Sequence, residues 1–202
     1  MSRESDARRV PAREGRGEVR EKASRFLGFA RRVGSPGESD AFVERLRREY
    51  HDATHVAFAF KVGEGDAALV RSSDAGEPSG TAGRPILSAI EGAGISDAAV
   101  AVVRYFGGTK LGTGGLARAY RLAAERALKA AGGETIYDTV RLEARCPHAR
   151  TGAVRRLLDP PAVRLLVERF DPEPVLELEV RRSRAAALEA ALAKARVEFR
   201  RI

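Results

Sequence analysis

The stretch that most constrains the fold runs from residue 98 to residue 131, where an apolar segment passes through a glycine-rich loop into a helical pattern. Residues 98–105 (AAVAVVRY) are rich in Val and Ala and too short for a helix of ordinary length, so they predict a buried strand. Gly107, Gly108, Gly112, Gly114 and Gly115 punctuate the loop that follows. Leu116, Tyr120, Ala123 and Ala127 then recur at helical spacing until Gly132-Gly133 stops the pattern. A strand followed directly by the helix that covers it belongs in a sheet with a helical layer.

The segments on either side extend this into an α+β chain. Residues 1–17 are charged, contain Pro11, Gly15 and Gly17 and show no periodicity, which predicts a disordered basic tail. Phe26, Leu27, Phe29 and Val33 predict a first strand. Ser39 or Asp40 is expected to cap a helix whose Phe42, Val43, Leu46 and Tyr50 share a face. Residues 55–62 predict a strand, Gly63 to Asp66 a hairpin turn, and residues 67–71 the return strand. Pro85 suits the first turn of a helix ended by Gly92 and Gly94. Beyond Gly133 the pattern is a strand at 136–145, a helix at 151–158, strands at 163–170 and 175–180, a helix at 184–194 and a strand at 197–202. That βαββαβ order is the ferredoxin-like plan. The expected organisation is a tail over 1–17, an N-terminal domain over 18–133 and a C-terminal domain over 134–202.

Composition narrows the function classes. No run approaches the length of a membrane-spanning helix, and the charged start lacks the apolar core of a secretory signal. Cys146 is the single cysteine and cannot form an internal disulfide. A cytoplasmic protein without membrane contact is expected. The formal charge of +8 is compatible with a polyanionic partner, but it is spread along the chain. All but five of the 36 basic residues are Arg, a pattern that coding bias also produces. Asn and Gln are absent, which removes the side chains that read adenine bidentately and argues against a sequence-specific duplex reader.

Three stretches resemble the IMPACT/YigZ family. These are residues 72–85 (SSDAGEPSGTAGRP), residues 102–116 (VVRYFGGTKLGTGGL) and, more weakly, Lys22, Ser24, Arg25 and Phe26. The resemblance covers roughly residues 18–132 in its specific part. It implies an N-terminal domain like the second domain of small-subunit ribosomal protein five, with a left-handed βαβ crossover that departs from the usual hand. It also implies a C-terminal domain like the last domain of elongation factor G. Eukaryotic relatives look like regulators of an initiation-factor kinase and carry an additional N-terminal recognition domain for which this chain has no room. Their kinase-regulating role is therefore not carried over.

The chemistry of the two long stretches leaves alternatives open. The loop from Arg104 and Tyr105 through Gly107, Gly108, Lys110, Gly112, Thr113, Gly114 and Gly115 opens a helix, where free amides and the helix dipole favour an anion. Phosphate of RNA or of a nucleotide is one occupant; a tight turn needing positive φ is the structural alternative. No Gly-Lys-Ser/Thr closes the loop as a phosphate-binding P-loop requires, and its glycines stand too far from the strand for a dinucleotide fingerprint. The second loop offers Ser73, Asp74, Glu77, Thr81 and Arg84, which suit acid–base chemistry or, alternatively, capping of the backbone. The two loops are expected to share one end of the sheet. His51 and His55 lie across a helix-to-strand turn rather than on one helical face, so no metal site is expected, and Cys146 with His148 lacks an orienting group. No catalytic motif and no cofactor are expected. The leading reading is a non-catalytic binding protein of translation that contacts RNA, the ribosome or a translation factor through residues 107–115. The rivals are a small-molecule enzyme acting on a phosphorylated substrate between loops 72–85 and 104–115, with Asp74 or Glu77 as base, and a protein–protein regulator without ligand.

Overall fold

A computed structural model of the chain describes residues 6–170 and 172–202. In chain order its elements are β1 (Ala7–Pro11), β2 (Gly15–Glu21), β3 (Ser24–Arg32), α1 (Pro36–Glu49), β4 (His55–Val62), β5 (Leu69–Ser73), α2 (Gly83–Gly92), β6 (Ala98–Tyr105), α3 (Gly112–Ala131) and β7 (Gly133–Tyr137). They continue with β8 (Thr139–Arg145), α4 (Thr151–Arg155), β9 (Val163–Phe170), β10 (Pro174–Arg181), α5 (Arg182–Lys194) and β11 (Glu198–Arg201). Two compact units result: Arg9–Thr135, and Ile136–Ile202 together with the stretch ending at Arg8.

In the first unit five strands form an antiparallel sheet in the order β2-β3-β6-β4-β5. Both β3 and β4 run antiparallel to β6, which lies between them, so α1 connects two parallel strands. The period of two along each strand sorts side chains into separate cores. Phe26, Ala57, Ala59, Val100 and Val102 lie under Ile86 and Ile90 of α2 and Leu116, Tyr120 and Ala123 of α3. Leu27, Val56, Phe58, Phe60 and Val103 face the other way, under Phe42, Val43 and Leu46 of α1. Each large apolar side chain removed from water here contributes about 1.5–3 kcal/mol.

Local differences from the sequence expectations have physical causes. Helix α1 is capped by Ser35, whose hydroxyl accepts from the Glu38 amide at 3.2 Å, rather than by Ser39 or Asp40. Pro36 supplies the preset φ of a first helical turn, which moves the start upstream. The expected tail over 1–17 is a correction: residues 7–11 and 15–17 belong to β1 and β2, while residues 1–5 lie outside the described residues. Gly15 and Gly17 are not flexible spacers. A Cβ at Gly15 would stand 2.2 Å from the Ala127 carbonyl oxygen, and one at Gly17 2.5 Å from Arg126 Cβ, so these glycines let α3 rest on β2. The first unit accordingly begins at Arg9 and not near residue 18.

The second unit follows the order β8-α4-β9-β10-α5-β11, with the sheet order β11-β8-β10-β9 and every neighbouring pair antiparallel. Leu142, Ala144, Leu176, Leu178 and Val180 pack with Val154 of α4 and Leu188 and Leu192 of α5. Cys146 is buried in that core. The strand expected over 136–145 is interrupted at Asp138, whose amide donates to the Asp6 carbonyl at 2.8 Å, so β7 and β8 are separate. Asp6 also accepts from the Ser183 amide at 2.8 Å, at the start of α5.

Candidate functional site

Alternation along β6 decides where its last charged residue goes. Val100, Val102 and then Arg104 point to the α2/α3 side, so the Arg104 guanidinium enters the core and is only 5% exposed. It lies 5.4 Å from the ring centres of both Phe26 and Phe106, within cation–π range. Glu77 reaches it from the β5–α2 loop. Arg104 Nη1 donates to Glu77 Oε1 at 2.6 Å and Oε2 at 2.8 Å. The Tyr120 hydroxyl of α3 donates to the same Oε1 at 2.6 Å. Burial and then the Glu77 carboxylate push the Tyr120 hydroxyl far above its ordinary value, so it remains a donor. Arg104 Nε is buried without a partner among the described residues.

The loop carrying Glu77 is organised by Asp74. Its carboxylate accepts from the amides of Gly80 at 2.8 Å, Ala82 at 2.9 Å and Gly83 at 2.8 Å, the last two at the start of α2. Burial raises the Asp74 carboxyl, but the Gly80, Gly83 and Ala82 amides outweigh it and hold it below its ordinary value. A carboxyl depressed on folding stabilises the protein above its unfolded pKa, and that stability is lost as pH falls through the folded value. The Asp74→Asn variant is therefore expected to be less stable at neutral pH and to lose less stability below about pH 4, the range where an ordinary Asp begins to protonate. Urea midpoints measured across the acid range test this; an acid slope identical to that of the parent chain would refute it.

The glycine loop joins the same corner. A Cβ at Gly107 would lie 2.0 Å from the Ala23 carbonyl group, and Gly108 and Gly112 have φ of +83° and +70°, so these three have structural reasons to be glycine. Gly114 has neither constraint. Helix α3 starts at Gly112 inside the loop; its N-cap residue Leu111 makes no side-chain capping bond, and its first turn holds no acidic residue. That open end, with Lys110, Arg104, Glu77 and His55, lines a cavity of about 430 Å³. Pro78, Phe106, Leu111 and Leu116 form its apolar wall. The His55 ring is oriented by Nδ1, 2.9 Å from the Ala75 carbonyl, which requires Nδ1 to carry the proton; Nε2 is 4.0 Å from Glu77 Oε1.

The structure thus brings Glu77, Arg104, Lys110, Gly112 and Thr113 to one cavity. It does not bring Tyr105, which lies on the α1 side and donates its hydroxyl to Asp52 at 2.8 Å. Ser73 and Thr81 act within their own loop: Ser73 Oγ accepts from the Ala75 amide, and Thr81 Oγ1 donates to the Pro78 carbonyl. Arg84 lies instead in an adjacent groove between α2 and α3 with Arg118 and Arg121. Arg121 pairs with Glu125, whereas Arg84 and Arg118 are exposed and have no carboxylate partner among the described residues. Arg104, expected with Lys110 to contact phosphate, lies inside the core paired to Glu77, which leaves Lys110 as the exposed cation of the glycine loop. Neither Asp74, holding three amides, nor Glu77, holding Arg104 and Tyr120, is free to serve as a base. His55, Phe106, Tyr120 and Arg118 were not anticipated as site residues. For His55 a signal existed, since the β4 period puts it on the Ala57/Ala59 face.

The second unit offers a different surface. Glu143 on β8 accepts from Arg200 of β11 at 2.8 Å, and Arg169 of β9 reaches Glu177 of β10 at 2.6 Å. Such exposed cross-strand pairs contribute little stability each, and they occupy the positions where a base-stacking sheet would carry aromatics. Among the described residues no group of three or more potential metal ligands gathers, and no helix is long and apolar enough to cross a membrane.

Comparison with known proteins places these features in context. Residues 22–128 match the profile of the Impact N-terminal domain. An IMPACT family member from Thermus thermophilus is 46% identical over 135 residues, 67% of this chain and 72% of that protein. Another from Haemophilus influenzae is 34% identical over 150 residues, 74% of this chain and 73% of that protein. A solved structure described only as a hypothetical protein superposes with a TM-score of 0.70 at 28% identity, covering 97% of both chains.

Proposed function

The chain belongs to the IMPACT family, and on that premise we propose that it is a cytoplasmic, non-catalytic binding protein of translation that holds phosphate of RNA or the ribosome at the start of α3. The observation that carries this reading is the N-terminus of α3 opening, beside the exposed Lys110, into the cavity. First-turn amides and the helix dipole favour an anion there. Arg84 and Arg118 extend the cationic surface along the neighbouring groove, and Arg118 Nη1 comes within 3.9 Å of the Cβ position of Gly114 in the first turn of α3. Several exposed cations flanking a helix start suit a polyanion better than a single carboxylate. The link to translation itself comes from the family resemblance.

The finer fold likenesses belong to the same proposal. The βαββαβ order and the sheet order β11-β8-β10-β9 support a ferredoxin-like C-terminal domain akin to the last domain of elongation factor G. The parallel β3-α1-β4 unit supports a first domain like the second domain of small-subunit ribosomal protein five.

Fluorescence anisotropy with single-stranded RNA, duplex RNA and duplex DNA at two salt concentrations tests the site. Lys110→Ala and Arg118→Ala are the informative variants, because both side chains are exposed and their loss spares the core. Each is expected to weaken RNA binding and to reduce the log–log salt slope by about 0.7 for a single strand. No binding at physiological salt, or binding unchanged in both variants, would sink the phosphate site and favour a protein partner.

A further inference from the structure

We infer that the cavity between the Glu77 loop and the start of α3 takes one nucleotide unit, with its phosphate on the helix N-terminus and its base against Phe106. The inference rests on the phosphate reading above and specifies its ligand. A cavity of about 430 Å³ falls at the small end of the range of about 300–1,000 Å³ that small-molecule sites occupy. Its walls are divided by chemistry. Lys110 and the first amides of α3 supply cationic and donor groups, Arg104 enters already paired to the Glu77 carboxylate, and Pro78, Leu111, Leu116 and Phe106 are apolar. A bare phosphate would leave the apolar wall against water, and a wholly apolar ligand would leave the donors unmatched. A ligand that satisfies both joins a phosphate to a planar, weakly polar body.

Two further observations point to an occupant. Arg104 is 5% exposed and lines the cavity, and although its Nη1 is paired to Glu77, its Nε is without a partner among the described residues. Phe106 is 46% exposed although its ring lies over the Arg104 guanidinium and its amide is held by Thr54 Oγ1 at 3.0 Å. An aromatic surface fixed from below by a cation and from behind by its backbone is a stacking platform, and bases of any sequence stack on such rings. His55 Nε2, an acceptor when the ring is neutral because Nδ1 donates to Ala75, offers a place for an N–H or O–H of the ligand.

Isothermal titration of the full chain with adenosine 5′-monophosphate, adenosine and inorganic phosphate tests the inference. The monophosphate is expected to bind at least tenfold more tightly than either fragment. Phe106→Ala is expected to weaken it about tenfold, from the loss of base stacking, and to leave inorganic phosphate unchanged. An RNA oligomer with a 5′-phosphate that displaces the monophosphate, where its 5′-hydroxyl twin does not, identifies a strand end as the source of the nucleotide. Displacement by neither identifies a free nucleotide. If inorganic phosphate binds as tightly as the monophosphate, the site recognises only an anion and the inference falls. If RNA binds through Lys110 while no mononucleotide binds, the inference falls and the phosphate reading stands. If neither RNA nor monophosphate binds, both fall.

Discussion

Replacing Glu77 with alanine is expected to destabilise the first unit by about 3–5 kcal/mol, the cost of leaving a buried charge without its partner. Arg104 is 5% exposed and Tyr120 is fully buried, and both donate to Glu77. Removal of the carboxylate strands the guanidinium in a low-dielectric corner and leaves the tyrosine hydroxyl without an acceptor. Several ion pairs elsewhere in the chain, such as Arg121–Glu125 and Arg47–Glu44, are at least 43% exposed on both sides, and breaking them should cost well under 1 kcal/mol. The double variant Glu77→Leu/Arg104→Met, which removes the charges together, is expected to recover most of the loss. Urea unfolding of the three proteins decides the matter. A Glu77→Ala cost below about 1 kcal/mol would place the pair in the exposed class and contradict its burial.

Two glycine-to-alanine substitutions are expected to have opposite signs. At Gly28 in β3 a Cβ would stand 2.2 Å from the Ala123 carbonyl oxygen, and β3 is paired on both edges and cannot retreat. Gly28→Ala should therefore cost about 3 kcal/mol, the upper end of ordinary overpacking, because the obstacle is helix backbone rather than a side chain that can turn away. At Gly114 the nearest atom is the Arg118 guanidinium tip at 3.9 Å and the backbone is helical. Gly114→Ala should gain about 0.5–1 kcal/mol from helix propensity. Thermal or urea unfolding of both variants checks the contrast. Equal effects at the two positions would mean that α3 does not rest on β3 at the separation described.

Much of the architecture is legible along the chain because local periodicity reports local structure. The alternation of Val56, Phe58 and Phe60 against Ala57 and Ala59 predicts β4, and its bounds coincide with the observed His55–Val62. The apolar run Ala98–Tyr105 is β6 over its full length. The order of elements after Gly133 follows from the same periods, with β7 split from β8 by Asp138.

Other features depend on contacts that no local pattern encodes. Residues 15–17 look like a flexible tail because glycine lowers strand propensity, yet Gly15, Gly17 and Gly28 are the positions where α3 meets the sheet, with obstacles up to 116 residues away in sequence. A glycine that is needed for close approach and a glycine that merely loosens the chain look the same until the approaching helix is in place. Arg104 shows the same division. The period of β6 establishes that it shares a face with Val102, but whether that face is solvent or core depends on α2 and α3 covering it. Once they do, Glu77 from a loop 27 positions away supplies the counter-charge that makes burial tolerable. The sequence alone therefore determined the family and most of the elements from β3 onward with their order, which are encoded in short-range spacing. Only the tertiary structure decided which charges are buried, which glycines bear contacts and which residues line the cavity, because those depend on side chains from distant segments sharing the same few ångströms.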